Sequence, residues 1–490
     1  MSPATDSLTD VPSDPRDARA RRTFDVCDPA TTKVIAEVVD HSPADATAAV
    51  DSASRTFPGW AATEPRARAE ILRRAYELMD AESESLANLI TTENGKSSDD
   101  ARAEVAYSAE FFRWFSEEAV RTEGAYGVSP AGGTRAIVTH KPVGVAALVT
   151  PWNFPAAMVA RKVAPALAVG CTVVLKPAPE TPLTAIALAD LLRRAGVPDG
   201  VVNVVPTTAA AEVVTAWLQD ARIRKLSFTG STPVGRTLLK QASDRILNAS
   251  MELGGNAPFI VCADAEIESA VAGALVAKFR NAGQACTAAN RFFVHTDVLE
   301  EFVARLGAAV ETLRPAPLIS ARAVTGVNAI VDDAVASGAR ITHQGRVSEA
   351  GWYYPATVLV DVRPDMRIAQ QEIFGPVVSI MTWSTQAELL AKANDTEFGL
   401  AGYVYGGLAD ALHIAESLDV GMVGVNRGAV SDPSAPFGGV KQSGLGREGA
   451  REGMREFQEV QYLSIDWPTA TPDHGTLAVA QATEGEWRSR

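Results

Sequence analysis

Cys286 is the residue of this sequence best suited to act as a nucleophile. It ends the polar, glycine-containing segment FRNAGQAC, whereas buried structural cysteines usually sit in apolar runs such as Val261–Cys262. The four cysteines, Cys27, Cys171, Cys262 and Cys286, contain no CxxC pair. Their spacing therefore argues against zinc, iron–sulfur and disulfide frameworks, and we expect thiol chemistry without a metal.

Two further motifs supply chemical partners for this thiol. Glu252 ends a predicted strand and precedes two glycines in ELGGN, which permit close backbone approach, so its carboxylate could serve as a base. Asn153 lies in PWNFP at the carboxyl end of another predicted strand, where α/β sheets bind ligands, and its amide could donate to an oxyanion. Taken alone, Glu252 is equally explained as a solvated surface charge and Asn153 as part of a proline-framed turn.

The elements that must position these residues follow a helical and then an alternating pattern. Between Ser42 and Arg121 apolar residues recur at three- and four-residue spacing, which predicts three helices. Beyond that, short β-branched runs alternate with amphipathic segments, as in parallel sheets covered by helices. The predicted strands are 144–150, 172–176, 201–205, 225–229, 258–261, 291–295, 357–360, 377–383 and 422–426. The sequence therefore predicts an α/β protein with a nucleotide-binding type of domain followed by a second α/β domain.

The composition bounds the function classes. The 490 residues suffice for two or three domains, and 47% hydrophobic with 21% charged residues is typical of a folded globular protein. A net charge of −14 repels phosphate backbones and anionic lipid surfaces, so we expect neither nucleic acid nor a membrane as partner. The first residues lack an apolar signal segment, and the longest apolar stretch, 163–175, is too short to span a bilayer. We therefore expect a cytoplasmic protein.

Two glycine motifs indicate other ligands. Residues 444–449, GLGREG, match the dinucleotide fingerprint GxGxxG, but they follow a turn-rich loop, so a glycine-rich surface loop is the better interpretation. Residues 230–237, GSTPVGRT, almost match a P-loop, with Arg236 where the phosphate-binding lysine should stand. A P-loop NTPase stays open as a minor alternative, and the backbone amides of this helix start could equally bind a pyrophosphate.

Taken together, the motifs resemble those of the aldehyde dehydrogenase superfamily, and most closely its succinate-semialdehyde dehydrogenases. The resemblance extends from about residue 22 to residue 466 and rests on seven segments in the family's order: PWNFP (151–155), KPAPETP (176–182), FTGS (228–231), ELGGN (252–256), GQAC (283–286), QEIFGP (371–376) and PFGGVKQSGLGREG (436–449). The closer likeness rests on ARK (160–162), KFRNAGQAC (278–286) and AKANDTEFGLAGYVY (391–405).

The resemblance implies a Rossmann-type cofactor domain, an α/β catalytic domain and a small β oligomerisation arm. The implied ranges are a flexible N-terminal tail (1–22), an NAD(P)-binding domain (23–123 and 143–252), the arm (124–142 and 451–466), a catalytic domain (253–450) and a flexible C-terminal tail (467–490). It also implies a homodimer or homotetramer.

The resemblance also implies a mechanism and its residues. Cys286 attacks the aldehyde, Asn153 and the Cys286 N–H hold the oxyanion of the thiohemiacetal, and Glu252 activates the water that hydrolyses the thioester left by hydride transfer. The cofactor-binding positions are Trp152, Lys176, Pro179, Gly230, Ser231, Leu253, Glu372 and Phe374. The positions for the distal carboxylate of the substrate are Arg161, Arg280 and Ser431.

Three departures from the family pattern refine these expectations. Pro179 stands where NAD-preferring relatives often carry a glutamate that repels a 2′-phosphate, so we expect NADP to be accepted and slightly favoured over NAD. Glu180, one residue further on, keeps NAD possible. Ala288 stands where close relatives carry a second cysteine, so a disulfide with Cys286 cannot form there. The segment 313–320 is shorter than in relatives, which leaves the fine substrate specificity open. Another semialdehyde or a simple aldehyde is an alternative substrate, and a catalytically silent binding protein is a further alternative that Cys286, Glu252 and Asn153 disfavour.

Overall fold

Two mainly parallel sheets carry the positions at which the chemistry is expected. The computed structural model describes residues 22–467, so most of the two predicted tails, 1–22 and 467–490, lies outside the described residues. The described chain divides into a large unit, residues 22–122 and 142–458, and a small one, residues 123–141 and 459–467. The division of the large unit into cofactor and catalytic domains stays a prediction.

The strands are β1 (Thr23–Cys27), β2 (Val34–Val39), β3 (Gly124–Val128), β4 (Thr134–Pro142), β5 (Val145–Val149), β6 (Thr172–Lys176), β7 (Val202–Val204), β8 (Ile223–Thr229), β9 (Asn248–Glu252), β10 (Ala257–Val261), β11 (Ala289–His295), β12 (Arg340–Gln344), β13 (Thr357–Val360), β14 (Val377–Trp383), β15 (Phe398–Gly399), β16 (Ala401–Tyr405), β17 (Met422–Val425), β18 (Val440–Lys441), β19 (Gly444–Leu445) and β20 (Gln458–Asp466).

The helices are α1 (Pro43–Ala61), α2 (Pro65–Ala81), α3 (Ser83–Asn94), α4 (Ser98–Glu118), α5 (Pro155–Val169), α6 (Pro182–Ala195), α7 (Ala210–Gln219), α8 (Thr232–Ser243), α9 (Ile267–Phe279), α10 (Leu299–Thr312), α11 (Ala321–Ala336), α12 (Arg367–Gln370), α13 (Gln386–Asn394), α14 (Leu408–Glu416) and α15 (Glu452–Arg455). The predicted count of three helices between Ser42 and Arg121 is wrong, because α1 to α4 occupy that stretch. Only Glu82 separates α2 from α3, so no glycine or proline marks the break.

The first large sheet has six strands in the order β19-β9-β8-β5-β6-β7. All its pairs are parallel except β19 with β9. Every residue of β5 is buried, with Val145, Ala147 and Val149 packed in one hydrophobic core and Ala146 and Leu148 in the other. This is the apolar run expected of a strand with helices on both faces of its sheet, and it confirms the predicted α/β class.

The second large sheet has seven strands in the order β12-β13-β14-β11-β10-β16-β17, parallel except for β12 with β13. Hydrophobic cores again cover both faces. Strand β16 lies inside this sheet but is absent from the predicted strands. Its segment carries Gly402 and is flanked by Gly399 and Gly406, and glycine weakens the pattern by which a strand is recognised.

The small unit contains the antiparallel hairpin of β3 and β4, with β20 on the other side of β4. Its strands expose large apolar side chains, among them Tyr126, Val128, Val460 and Tyr462. Large apolar side chains exposed together on one small sheet are typical of a surface that another chain covers.

Candidate active site

Asn153 lies in the short connection between β5 and α5. Its side-chain Nδ2 donates to the carbonyl oxygen of Gln284 at 3.0 Å, and its Oδ1 is buried without a hydrogen-bond partner. Its own carbonyl oxygen accepts hydrogen bonds from Lys96 Nζ at 2.9 Å and from Asn281 Nδ2 at 2.8 Å. The amide predicted to hold an oxyanion is therefore connected directly to the segment that carries Cys286.

The residues before Cys286 form a tight left-handed turn. Asn281, Ala282 and Gly283 have φ angles of 49°, 53° and 76°, a conformation that costs energy for the two non-glycine residues. A Cβ atom on Gly283 would lie 2.3 Å from the carbonyl oxygen of Gly375, so the close approach of these two chains requires glycine. The chain therefore leaves the helical path of α9 at this turn, and Cys286 follows three residues after it.

Gln284 anchors this turn to the segment 313–320 that the sequence analysis identified as shortened. Its Oε1 accepts from Ile319 N–H at 2.9 Å, and its Nε2 donates to Pro317 O at 3.2 Å. Both ends of the amide are thus bonded to one loop. The conformation of that loop is coupled to the position of Cys286 two residues later.

Glu252 reaches the same region from the end of β9. A Cβ atom on Gly255 would lie 2.5 Å from the carbonyl oxygen of Cys286, so the ELGGN segment passes directly against the nucleophile. The Glu252 carboxyl is buried, and neither of its oxygens has a hydrogen-bond partner. Burial raises the pKa of Glu252 well above its usual value, and the neighbouring charge of Glu448 raises this pKa further.

Arg161 and Lys162 are paired with Glu448, a residue that the sequence analysis did not single out. Arg161 Nε lies 2.7 Å from Glu448 Oε2 as an ion pair without hydrogen-bond alignment, and Lys162 Nζ lies 2.6 Å from Oε1. The Arg161 guanidinium also lies over the ring of Phe437, 3.9 Å from its centroid. Its Nη2 has no hydrogen-bond partner, so this nitrogen can bind a further anion.

Cys286 opens into a cavity of about 140 Å³. Burial raises the pKa of its thiol to about 12, although Arg161 acts in the opposite direction. The cavity is lined by Asp100, Ala103, Glu104, Tyr107, Phe154, Met158, Arg161, Arg280, Ala285, Cys286, Thr287, Ser431 and Phe437. The three predicted substrate positions therefore share one cavity with the predicted nucleophile.

Arg280 and Ser431 present free hydrogen-bonding capacity to this cavity. Arg280 Nε is buried without a partner, and the guanidinium lies over the ring of Phe154, 5.4 Å from its centroid. The Ser431 hydroxyl forms a short hydrogen bond with the hydroxyl of Tyr107 on α4. Two hydroxyls that share one hydrogen bond keep one proton free, so the pair can still donate to a ligand.

Lys176 ends β6 as predicted for a cofactor residue. Its Nζ is buried and donates to the carbonyl oxygen of Pro177 at 2.8 Å. Burial lowers the pKa of Lys176 to about 8, while the exposed Glu180 acts against this shift. Pro179 is half-buried beside it. The ammonium of Lys176 is therefore still present at neutral pH, and no carboxylate is bonded to it.

Gly230 and Ser231 stand at the start of α8, where a pyrophosphate is expected. Gly230 N–H donates to the carbonyl oxygen of Glu252 at 3.0 Å, so this helix start adjoins the end of β9. The Ser231 side chain does not cap the helix, and the first turn carries no acidic residue. Leu253 packs against the same helix at Gly235, where a Cβ atom would lie 2.5 Å from the leucine side chain. An uncapped, acid-free helix start fits a phosphate group.

Arg236, which replaces the P-loop lysine, turns away from that helix start. Its Nε donates to Gln442 Oε1 at 2.7 Å and its Nη2 donates to Glu397 Oε2 at 2.8 Å. The charge that a P-loop needs at its phosphates is therefore bound elsewhere.

The other glycine motif, 444–449, begins in β19, which runs antiparallel to β9. It does not form the strand–turn–helix of a dinucleotide fingerprint.

Glu372 and Phe374 complete the set predicted for the cofactor. Glu372 Oε1 accepts from Gly255 N–H at 3.3 Å, and burial raises the pKa of Glu372 to about 7. The rings of Phe374 and Trp152 meet edge to face, with 5.5 Å between their centroids. The Glu372 carboxyl lies near the start of α8, since both it and Thr232 adjoin Gly254. A carboxyl, a buried lysine and an uncapped helix start are groups that suit ribose hydroxyls and phosphates.

The sequence analysis missed the contribution of α4 to the cavity. Asp100, Glu104 and Tyr107 occur at intervals of four and three residues, which places them on one face of the helix. Polar residues at helical spacing next to the apolar positions of α4 are a signal that was available in the sequence.

In the residues that the structure describes, no cluster of three His, Cys, Asp or Glu side chains could hold a metal ion. No described helix is long and apolar enough to cross a membrane.

The chain is similar to known proteins over nearly its whole length. The sequence model of the aldehyde dehydrogenase family matches residues 16–463. A succinate-semialdehyde dehydrogenase from Paenarthrobacter nicotinovorans is 49% identical over 89% of this chain and 99% of its own length. A glutarate-semialdehyde dehydrogenase from Pseudomonas putida is 44% identical over 92% of this chain and 95% of its own.

A solved structure agrees with these sequence matches. The crystal structure of an NADP-dependent enzyme from E. coli superposes with a TM-score of 0.89 at 43% identity, and the match covers 91% of this chain and 95% of that one. The sequence and structure matches together confirm the resemblance that the seven motifs indicated.

Proposed function

Since this chain belongs to the aldehyde dehydrogenase family, we propose that it oxidises an aldehyde carrying a distal carboxylate, most readily succinate semialdehyde, to the corresponding carboxylic acid. The main support is the cavity of about 140 Å³ in which Cys286 meets Arg161 and Arg280, each with a guanidinium nitrogen that lacks a partner. Unpaired guanidinium nitrogens inside a protein favour an anionic ligand, because charge-assisted hydrogen bonds compensate for their desolvation.

The chain's own residues divide the chemistry between them. The Cys286 thiolate attacks the carbonyl carbon, and the Asn153 amide with the Cys286 N–H stabilises the oxyanion of the thiohemiacetal. A nicotinamide cofactor bound to the residues named below would supply the hydride acceptor that this oxidation needs. Glu252 then removes a proton from the water that hydrolyses the Cys286 thioester, a task that suits a carboxyl whose pKa burial has raised.

The cofactor is NADP or NAD, with NADP slightly favoured. Lys176 and the start of α8 would hold the adenosine ribose and the pyrophosphate, and Glu372 with Phe374 the nicotinamide ribose. Trp152 and Leu253 would flank the adenosine and nicotinamide parts. Pro179 offers no carboxylate against a 2′-phosphate, and the similar E. coli protein is described as NADP-dependent.

Another semialdehyde is the leading alternative substrate, because one similar protein is named a glutarate-semialdehyde dehydrogenase. A simple aldehyde is less favoured, since it would leave both arginines without an anion.

The proposal extends to a cytoplasmic homodimer or homotetramer assembled through the arm, 124–142 and 451–466. Apolar side chains exposed on β3 and β20 support assembly through the arm. The four free cysteines support a reducing compartment such as the cytoplasm.

Initial rates with three aldehydes test the substrate. Succinate semialdehyde, glutarate semialdehyde and butanal would each be supplied with NADP and with NAD, and reduced cofactor followed by absorbance. We expect kcat/KM for succinate semialdehyde to exceed that for butanal, an uncharged aldehyde of equal length, by at least about 150-fold, because two charged hydrogen bonds contribute about 3 kcal/mol or more. Equal rates for butanal would overturn carboxylate recognition, and a higher value for glutarate semialdehyde would establish the alternative substrate.

A further inference from the structure

A fully buried ion pair is bonded to the backbone around Asn153. Lys96, just after α3, and Glu104, on α4, form a short salt bridge, and neither side chain is accessible to solvent. Burying two charges costs several kcal/mol per ion before their attraction is counted, so such a pair is a poor way to gain stability. Its other contacts indicate what else it does.

The Lys96 ammonium is enclosed by the residues around the catalytic amide. Its Nζ donates to the carbonyl oxygen of Asn153 at 2.9 Å and lies over the ring of Phe154, 4.1 Å from the centroid. A charged donor on a peptide carbonyl forms a stronger and shorter bond than a neutral one. Lys96 therefore fixes the peptide group that follows Asn153.

Glu104 fixes the chain immediately beyond it. Its Oε1 accepts from Ala156 N–H at 2.8 Å and from Ala157 N–H at 3.2 Å, in the first turn of α5. Phe154 occupies the N-cap position of that helix and offers no side-chain oxygen, so Glu104 replaces the missing cap. The ion pair thus holds the backbone on both sides of Phe154, next to Asn153.

Asn153 is also bonded to the nucleophile segment. Asn281 Nδ2 donates to the same Asn153 carbonyl oxygen at 2.8 Å, and Asn153 Nδ2 donates to Gln284 O at 3.0 Å. The orientation of the Asn153 amide relative to Cys286 is therefore set from two directions. Lys96 and Glu104 hold the backbone around it, and Asn281 and Gln284 bond it to the strained turn.

We propose that Lys96 and Glu104 are positioning residues, which hold the Asn153 backbone so that its side-chain amide meets the oxyanion formed at Cys286. This inference rests on the proposed function, in which Asn153 stabilises that oxyanion. Glu104 also lines the Cys286 cavity, but the hydrogen bonds and ion pair described for Lys96 and Glu104 go to the backbone on both sides of Phe154 and not to Cys286. We therefore expect their effect on the rate to pass through Asn153.

A mutant cycle tests this dependence. Lys96→Met combined with Glu104→Gln removes both charges together, so no unpaired ion is left buried. We expect this double variant to lower kcat by about 10- to 100-fold, as a small misplacement of a catalytic group does, with KM for NADP within about threefold. In an Asn153→Ala background, the same two changes should lower kcat by less than about threefold, because the group they position is gone.

Lys225 provides the matched control, since it is equally buried, is paired with Glu456, and bonds to Asn248 rather than to the Asn153 region. We expect Lys225→Met to lower kcat by the same factor with and without Asn153. Melting temperatures of all variants, with rates measured well below them, separate folding from turnover. If Lys96→Met with Glu104→Gln folds poorly, Glu104→Asp, which keeps both charges but shortens the side chain that reaches α5, should give a smaller effect with the same dependence on Asn153.

Two results would overturn the inference: an unchanged kcat in the Lys96→Met and Glu104→Gln variant, or an equal loss in both backgrounds. A failure of the proposed function gives a different result. In that case Asn153→Ala alone would leave kcat for succinate semialdehyde unchanged, instead of lowering it by roughly 100- to 1,000-fold as the loss of an oxyanion donor does.

Discussion

Nε of Arg161 lies 2.7 Å from Oε2 of Glu448, inside the protein and beside the cavity that holds Cys286. Lys162 pairs with the other oxygen of the same carboxylate. A substrate carboxylate that approaches Arg161 therefore meets a guanidinium that shares the single negative charge of Glu448 with Lys162, and Nη2 is its unpartnered nitrogen. The same Glu448 charge faces Glu252 and adds to the burial that raises the pKa of that carboxyl.

Glu448→Gln should move the acid limb of the kcat profile to lower pH. The raised pKa keeps Glu252 protonated at low pH, where it cannot act as a base, so kcat rises with pH until the carboxyl ionises. Glutamine removes one negative neighbour and frees Arg161 and Lys162 to stabilise the Glu252 carboxylate, and both effects lower its pKa. Steady-state kcat with succinate semialdehyde between pH 5 and pH 9 measures the limb.

Glu456→Gln is the control for that experiment, because Glu456 pairs with Lys225 and bonds to Ser250. It should leave the acid limb in place. A limb that stays fixed or moves to higher pH in Glu448→Gln would contradict the role of Glu448. An acid limb that stays fixed would indicate that kcat is limited by a step other than proton transfer to Glu252.

The Cys286 thiol of the cofactor-free protein should react with iodoacetamide more rapidly at each higher pH. Burial raises the pKa of this thiol to about 12, so the thiolate is a small fraction at neutral pH and increases about tenfold per pH unit. Mass spectrometry of the Cys286 peptide between pH 7 and pH 9.5 measures the rate. The half-exposed Cys27 gives an internal comparison in the same digest. A rate that levels off below pH 9 would show that the thiol ionises more readily than its surroundings indicate.

The sequence indicated which candidate residues lie close together better than it indicated what holds them in place. The ELGGN segment lies against Cys286, as its two glycines at the end of a predicted strand indicated, because glycine at such a position permits close approach of another backbone. The pairing of Arg161 with Glu448 joins residues 287 positions apart, and no local pattern encodes such a distance. Lys96 illustrates the same limit, since a lysine in a polar segment is ordinarily a surface residue.

Pro179→Glu should shift the cofactor preference towards NAD. A carboxylate at this position would repel the 2′-phosphate of NADP and could bind the ribose hydroxyls of NAD. A like charge at about 4 Å costs between about 1 and 4 kcal/mol, so we expect the ratio of kcat/KM for NADP to that for NAD to fall at least about tenfold. Glu180→Gln removes the neighbouring exposed charge and should change this ratio by less than about threefold. An unchanged ratio in Pro179→Glu would show that the position does not face the ribose.

The same ratio should fall as the pH rises past 8. Burial lowers the pKa of Lys176 to about 8, so its ammonium is present below that pH and is lost above it. The loss weakens binding of a 2′-phosphate more than binding of ribose hydroxyls, and groups common to both reactions cancel in the ratio. Measurements of kcat/KM for both cofactors between pH 7 and pH 9.5 report the free protein. Lys176→Gln should give a lower ratio that does not vary with pH, and a ratio that is constant in the unmodified protein would contradict the role of Lys176.

Arg280→Gln should weaken the recognition of the distal carboxylate more cleanly than a change at Arg161. Arg280 Nε is unpartnered, whereas replacing Arg161 would also disturb the buried Glu448. Loss of one charged hydrogen bond, about 1.5 to 3 kcal/mol, predicts a fall in kcat/KM for succinate semialdehyde of roughly 10- to 150-fold, mainly through KM.

Tyr107→Phe serves as the neutral companion to Arg280→Gln. It removes the hydroxyl bonded to Ser431 while keeping the ring, so the cavity changes little in volume. A neutral hydrogen bond contributes about 0.5 to 1.5 kcal/mol, which predicts a fall of roughly 2- to 15-fold for succinate semialdehyde. Butanal has no carboxylate to lose these contacts, so its kcat/KM should change by less than about twofold in both variants. Equal losses for butanal and succinate semialdehyde would mean that Arg280 and Tyr107 shape the cavity without binding the substrate's charge.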